Sequence, residues 1–141
     1  MEYNVNKSSR KHRLFPKTSF ELKMMIYNEI ANKGPGADLN HIDVFAIRDF
    51  SCMFYGYNFN GDISEWNVSN ATNMREMFYG ASAFNCDISG WDVHNVENMR
   101  YMFAHSAFNQ DISKWDVSKV KDNHMMFDNC PCLEEYRPKF K

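Results

Sequence analysis

The sequence has no long apolar run, little net charge and no familiar catalytic motif. No stretch approaches the eighteen apolar residues that would predict a transmembrane helix. A formal net charge of -2 gives no electrostatic reason to expect binding to nucleic acid or to an anionic membrane. No phosphate-binding loop, dinucleotide fingerprint or metalloprotease motif occurs, so no cofactor is expected. These absences favour a single small domain that is not an enzyme.

The amino-terminal residues 1–15 contain basic side chains but no apolar segment behind them. No signal peptide is therefore predicted. The expected location is the cytoplasm for the sequence as it stands, and the cell surface if a leader was removed. Residues 1–11 are polar and are predicted to be disordered.

The four cysteines do not form the pattern of a disulfide framework. Cys52 and Cys86 occupy different points of the repeat described below, and Cys130 and Cys132 are too close in sequence to close a useful loop. Reduced thiols are the prediction. A zinc site would have only Cys130, Cys132 and His124 as candidate ligands, which is fewer than a structural zinc site needs, so no metal is expected.

A motif of about twenty residues occurs three times. The copies are FNGDISEWNVSNATNMREMF at 59–78, FNCDISGWDVHNVENMRYMF at 84–103 and FNQDISKWDVSKVKDNHMMF at 108–127. A fourth, more divergent copy at 38–54 aligns with 62–78. An internal period of 24 or 25 residues is typical of proteins whose units bury their apolar sides only against their neighbours.

The apolar positions within each copy predict the shape of the unit. The step of two from Trp66 to Val68 is the strand period, and the later steps of three to Met74 and Met77 resemble a tight helical turn. The predicted fold is an α/β solenoid, a right-handed, leucine-rich-repeat-like coil of about four units with short parallel strands. Its spine would contain one buried tryptophan per unit, supplied by Trp66, Trp91 and Trp115.

The ends of such a stack need covers. Thr18 and Glu21 form the pattern of a capping box, which predicts a helix from about residue 19 to residue 33 with Leu22 and Ile26 on its apolar face. Its mixed polar face favours a capping helix over a membrane-surface helix. The predicted division is a capping helix at 12–35, a repeat solenoid at 36–130 and a closing segment at 131–141 whose apolar residues cover the last unit.

The repeat, written F-N-x-D-I-S-x-W-D-V-S-x-V-x-x-M-x-x-M-F, resembles that of the BspA-like leucine-rich-repeat surface proteins, which also form tandem arrays in mycoplasmal lipoproteins. The resemblance covers about residues 38–141, and about ten positions match in each of three units. It departs toward the end, where Asn123 stands in the place of Met74 and Met99. The resemblance implies a surface-displayed adhesion or interaction module.

Stacking of the units predicts two columns of polar side chains. Asp38, Asp62, Asp87 and Asp111 form the first column. We interpret them as acceptors of backbone N–H groups in tight turns, with a calcium ladder as the alternative. The second column lies on the solvent face of the predicted strands and is the candidate binding surface. Its residues are Asp43, Asn67, Asp92, His94, Lys114 and Asp116.

The predicted function is therefore protein interaction or surface recognition by a monomeric, non-enzymatic repeat module that binds through this face. The partner would be a protein, with no nucleic acid and no membrane insertion. Two alternatives remain open. The chain could be a cytosolic structural or regulatory protein, or an enzyme with a site on the predicted strand face.

Overall fold

The computed structural model describes residues 13–141. The predicted disorder of residues 1–11 lies outside this part of the chain. The described residues contain one α-helix, α1, at Ser19–Lys33 and one short 3-10 helix at Glu134–Tyr136. Turns and irregular backbone make up the rest of residues 13–141.

The predicted α/β solenoid with parallel strands is wrong, and so is the leucine-rich-repeat architecture. Residues 13–141 form no strand of two or more paired residues and no sheet. The backbone turns too often for a strand to extend in the first part of the repeat, because polar turns begin at Asp62, Asn67 and Asn73, five and six residues apart. Pairing between the repeats is limited to isolated parallel bridges. These are Leu14 with Ile42, Asp38 with Asp62, Asp49 with Asn73, Asn73 with Asn98, and Asn98 with Asp122.

Four equivalent segments nevertheless lie in register along the chain. We call them layers 1 to 4, and they comprise residues 38–56, 62–80, 87–105 and 111–129. Backbone amides of one layer donate to carbonyl oxygens of the next, as in Phe50 to Asn73, and this bond recurs from Met74 to Asn98 at the same 2.8 Å. The hydrogen bonds join consecutive layers without the continuous ladder of a sheet.

The predicted tryptophan spine is confirmed. Trp66, Trp91 and Trp115 are 4%, 4% and 6% exposed, and their rings stack with centroids 6.4 Å apart. Each indole N–H also donates to a backbone carbonyl of the preceding layer at 3.0 to 3.1 Å. The acceptors are the carbonyl oxygens of Leu39, Ile63 and Ile88.

A second aromatic column runs beside the tryptophans. Phe54, Phe78, Phe103 and Phe127 stack with centroids 5.4 to 5.7 Å apart. The recurring methionines fill the space around these rings and are fully buried, which confirms that they are core residues. They are Met74, Met77, Met99 and Met102.

The predicted turn of helix at the end of each unit is also wrong. Residues 75–80 make hydrogen bonds between residues three apart, as from Met77 N–H to Met74 C=O, but the backbone becomes left-handed at Glu76 and Gly80. The equivalent positions of the other layers share these left-handed φ values. They are Cys52, Tyr101 and Met125 at the first position, and Gly56, His105 and Asn129 at the second.

Helix α1 confirms the predicted helix and its first residue. The Thr18 hydroxyl accepts the Glu21 N–H at 3.1 Å, and the helix ends at Gly34, which has a φ of 89°. Leu22 and Ile26 are fully buried, and the Ser19 hydroxyl donates to the carbonyl of Asp49 in layer 1. The helix therefore covers the layer 1 end of the stack.

The carboxy-terminal segment contacts the other end of the stack. Tyr136 and Phe140 pack against the core, whereas Leu133 is 44% exposed. Leu133 is therefore not one of the covering residues that the sequence predicted. The division of the chain into 12–35, 36–130 and 131–141 stays a prediction.

Candidate recognition surface

The second polar column of the sequence analysis forms a row of turn corners. Asp43, Asn67, Asp92 and Asp116 occupy equivalent places in the four layers, and each side-chain oxygen accepts the backbone N–H two residues later at 3.0 to 3.1 Å. The Ser118 hydroxyl also donates to Asp116 and is the main cause of the lowered pKa of that carboxyl. One oxygen of each side chain is therefore engaged with its own backbone.

His94 lies beside this column. His94 Nδ1 is 2.6 Å from an Asp92 carboxylate oxygen, and both side chains are about half exposed. Lys114 is exposed, and its charge is a minor cause of the lowered pKa of Asp111, which is lowered mainly by hydrogen bonds from Ser113. The structure therefore brings His94 together with Asp92 and relates Lys114 to Asp111, and the role of the six residues in binding stays a prediction.

The first polar column has the geometry of turns. Asp38, Asp62, Asp87 and Asp111 each accept the N–H two residues later at 2.9 to 3.0 Å, which confirms the turn interpretation. In residues 13–141, no group of three or more His, Cys, Asp or Glu side chains is placed to hold a metal ion. Each carboxylate instead accepts a backbone N–H of its own turn.

Replacing Asp87 with alanine should lower the free energy of unfolding by about 1 kcal/mol, because one turn amide loses its acceptor. Asp87→Asn is the matched control, since asparagine serves as the acceptor at Asn67, Asn73 and Asn98. Urea unfolding of the two variants measures the difference. Millimolar calcium should leave the melting temperature unchanged, and a rise of several degrees that a chelator abolishes would instead support the calcium ladder.

The Cys132 thiol near the carboxy terminus has the properties of a neutral core group. All four cysteines are free. Burial, together with the nearby Cys130, raises the pKa of Cys132 to about 11. Cys130 Sγ is 3.2 Å from the Phe108 carbonyl oxygen. Since the thiolate is the form that binds zinc, the raised pKa makes Cys132 poorly suited to a metal site at neutral pH.

A third row of turn corners was missed by the sequence reasoning. Its side-chain oxygens accept the N–H two residues later at 2.9 to 3.0 Å. The sequence does contain a signal for this row, because an Asp or Asn lies six positions after each member of the second column. The row consists of Asp49, Asn73, Asn98 and Asp122.

Exposed aromatic rings follow this third row. Tyr55 and Tyr79 stack with centroids 5.0 Å apart and an interplanar angle of 9°. Tyr79 also meets Tyr101 edge to face at 6.0 Å and His105 at 5.2 Å, and Tyr101 meets His124 at 5.8 Å. Tyr55 is 47% exposed, and the other rings are partly or fully exposed.

Arg100 contacts one of these rings, and Arg75 is its equivalent in layer 2. The side chains of Arg75 and Arg100 are 50% and 34% exposed, and their backbone N–H groups are held by Asn73 and Asn98. The Arg100 guanidinium lies over the Tyr101 ring at 5.2 Å from its centroid, a cation–π geometry. We call this surface the tyrosine face. It consists of Tyr55, Tyr79, Tyr101, His105 and His124 with Arg75 and Arg100.

The backbone beneath the tyrosine face is extensively hydrogen-bonded. Cys52, Phe54 and Gly56 donate to carbonyl oxygens of layer 2 at 2.8 to 3.0 Å, and the same positions of layer 2 donate to layer 3. Tyr55 directly follows Phe54 in the sequence, and Tyr79 directly follows Phe78. Each ring is therefore adjacent in the chain to a member of the buried phenylalanine column. The side chains of the tyrosine face thus extend from a backbone that interlayer hydrogen bonds hold in place.

The sequence analysis identified no role for these tyrosines and so missed the tyrosine face. Tyr55 and Tyr79 recur at a spacing of 24 directly after Met-Phe, which was the available signal. Tyr101 belongs to a different position of the repeat, where the backbone is left-handed. Its proximity to Tyr79 required the three-dimensional structure.

The family described as "Mycoplasma protein of unknown function, DUF285" matches residues 3–139 of the chain. The chain belongs to this family. The match supports a repeat family of unknown function, and it does not confirm the resemblance to the BspA-like leucine-rich-repeat proteins. No curated protein and no solved structure matches the chain. Within residues 13–141, no helix combines the length and the apolarity needed to cross a membrane.

Proposed function

We propose that this DUF285 chain is a non-enzymatic protein-recognition module and that the tyrosine face is its contact surface. The observation that carries the proposal is the stacked pair of the exposed Tyr55 and the partly exposed Tyr79, continued by Tyr101 with Arg100 over its ring. Tyrosine and arginine are among the residue types that dominate binding energy in protein interfaces.

The tyrosine face also has a low entropic cost of binding. Tyrosine offers a large contact area with few rotatable bonds, and the rings here already restrain one another. The hydrogen-bonded backbone below them holds their Cα positions before a partner arrives. Preorganisation of this kind raises affinity because less freedom is lost on binding.

The charges suggest the chemistry of the partner. Arg75 Nε lies 3.5 Å from a Glu76 carboxylate oxygen, and Arg100 Nη1 lies 3.6 Å from an Asp122 carboxylate oxygen. Each contact uses one guanidinium nitrogen, which leaves the other N–H donors available to a partner. A partner surface with carboxylates beside an apolar patch would satisfy both the arginines and the rings. We therefore expect a protein with an acidic rim around its binding site.

An enzyme with a site on the sequence-predicted face is the alternative from another class. Such a site would gather Asp92, His94, Lys114 and Asp116 around a pocket. Two grooves of about 580 and 370 Å³ are lined by other residues. This arrangement favours recognition over catalysis.

The double variant Tyr79→Ala/Arg100→Ala should weaken binding to the partner by at least about tenfold, since each side chain is of a type found at energetic centres of interfaces. The measurement has two stages. Proteins captured from host and bacterial lysates by the parent chain are compared with those captured by the variant. The dissociation constant of each differential partner is then determined by calorimetry.

Asp92→Lys is the matched control, because it changes the charge of the sequence-predicted face and leaves the tyrosine face intact. We expect it to bind as the parent does, and thermal unfolding checks that each variant is folded. Tyr55→Ala provides a second test at a more exposed ring. The opposite outcome is a partner that loses affinity for Asp92→Lys and binds the double variant as it binds the parent. That result would place the binding site at the column of Asp43, Asn67, Asp92 and Asp116 and contradict the proposal.

A further inference from the structure

Layer 4 ends the stack with a row of backbone amides that donate to no atom of residues 13–141. The intervening amides are satisfied, since His124 donates to Asp122, Met126 to the Asn123 carbonyl and Asp128 to the Met125 carbonyl. The amides that have no acceptor in residues 13–141 therefore belong to every second residue of the segment. We call this row the amide edge, and it consists of Asn123, Met125, Phe127 and Asn129.

The same positions in the preceding layers show what the amide edge is shaped to bind. In each of layers 1, 2 and 3, the four equivalent amides donate to four alternate carbonyl oxygens of the next layer at 2.8 to 3.0 Å. Layer 3 makes these bonds from Met99, Tyr101, Phe103 and His105 to layer 4. For these four positions the direction is constant at all three interfaces, so the corresponding part of layer 4 is left with donors.

A groove lies where a following layer would stand. Its volume is about 580 Å³, and its walls are the layer 4 segment with Met125 and Phe127 on one side and the tail with Pro138 and Phe140 on the other. The Arg137 guanidinium lies 4.8 Å from the centroid of Phe127, close to the spacing of the phenylalanine column. The tail thus covers the last ring and leaves the groove beside the amides.

A second copy of the chain does not fit this edge. Two layer 4 edges would each present donors and could not pair with each other. The opposite end of the stack is covered by α1, where Leu22 and Ile26 are buried and the Ser19 hydroxyl bonds the Asp49 carbonyl at 2.6 Å. The occupant must therefore bring free carbonyl groups without a helix over them.

We infer that the amide edge binds a segment of another protein that presents alternate backbone carbonyls in the geometry of a further repeat layer. The interaction is backbone augmentation, in which main-chain hydrogen bonds supply affinity and the groove beside them accepts side chains. Pairing also supplies acceptors to four donors that have none among residues 13–141. The four donors adjoin the tyrosine face at His124 but are not members of it, and the inference does not depend on the proposed function.

A synthetic peptide with the sequence of residues 98–106, NMRYMFAHS, is the probe, because this segment presents the matching carbonyls to layer 2 in the folded chain. Hydrogen exchange of the full 141-residue chain is followed by NMR with and without peptide. We expect exchange at Asn123, Met125, Phe127 and Asn129 to slow by about tenfold or more. The amides of His124, Met126 and Asp128 should change much less.

The matched control is the same peptide with esters in place of the amides of Tyr101, Phe103 and His105, which weakens the carbonyl acceptors just before them and keeps every side chain. It should lose the alternating protection. Equal protection by the ester peptide, uniform protection of residues 123–129, or no protection at millimolar peptide would each overturn the inference. The Tyr79→Ala variant should respond to the peptide as the parent does, which separates this site from the tyrosine face.

Discussion

Replacing Trp91 with alanine should lower the free energy of unfolding by about 3–5 kcal/mol, the range found for large-to-small changes at buried aromatic residues. Trp91 is 4% exposed and lies between Trp66 and Trp115, with a ring spacing of 6.4 Å on each side. Its removal leaves a cavity in the middle of the column. The cavity also orphans the Ile63 carbonyl, which accepts the indole N–H at 3.1 Å.

Chemical denaturation of the parent and the variant measures this loss. Trp91→Phe is the informative control, because phenylalanine retains a stacked ring and loses the indole N–H. The free energy of unfolding of Trp91→Phe should fall between those of the parent and Trp91→Ala. An alanine variant with unchanged stability would mean that the layers do not depend on the tryptophan column.

Replacing Gly61 with alanine should cost about 3 kcal/mol, toward the upper end of overpacking effects. A Cβ atom at this position would lie 1.9 Å from the Ala37 carbonyl oxygen and 2.8 Å from its carbon. Both are backbone atoms, and that carbonyl accepts the Asp62 N–H at 3.1 Å, so a shift that relieves the clash also disturbs the hydrogen bond. Thermal and urea unfolding should both show the effect.

Gly90→Ala provides the control for the glycine prediction. No atom lies within 4 Å of a Cβ built at Gly90, so its replacement should change the stability by no more than about 0.5 kcal/mol. Equal losses for the two variants would show that the cost comes from glycine's backbone freedom in general. A loss confined to Gly61→Ala would locate it at the contact with Ala37.

Several local features were predictable because they depend on neighbours in the sequence. The helix at Ser19–Lys33 follows from Thr18, Glu21 and the spacing of Leu22 and Ile26. The turn role of the first aspartate column follows from the ability of an aspartate to bond the N–H two residues later. Burial of the tryptophans and methionines follows from the period of the repeat.

The fold class was not predictable from the same period. The step from Trp66 to Val68 matches a strand, but Asp62, Asn67 and Asn73 each turn the backbone within a few residues. Local bonds from side chain to backbone compete with ladder formation, and here they limit the pairing to isolated bridges. The sequence analysis identified the first of these turns and assigned the second to a strand face.

The candidate sites depended still more on tertiary structure. The tyrosine face joins Tyr55 and Tyr79 to Tyr101, which comes from another column and points as it does because its φ is 55°. The amide edge exists because the amides at alternate positions of every layer point toward the next one, and layer 4 has none after it.

By itself, the sequence determined the number and length of the repeats, the burial of the recurring tryptophans and methionines, and the helix at the amino-terminal end. These properties follow from hydrophobic spacing and from hydrogen bonds between residues two to four apart. Only the tertiary structure decided how the layers pair and which polar and aromatic groups reach the surface together. The physical reason is that those outcomes depend on backbone dihedral angles and on contacts between residues 22 to 28 positions apart, such as Trp91 Nε1 and Ile63 O.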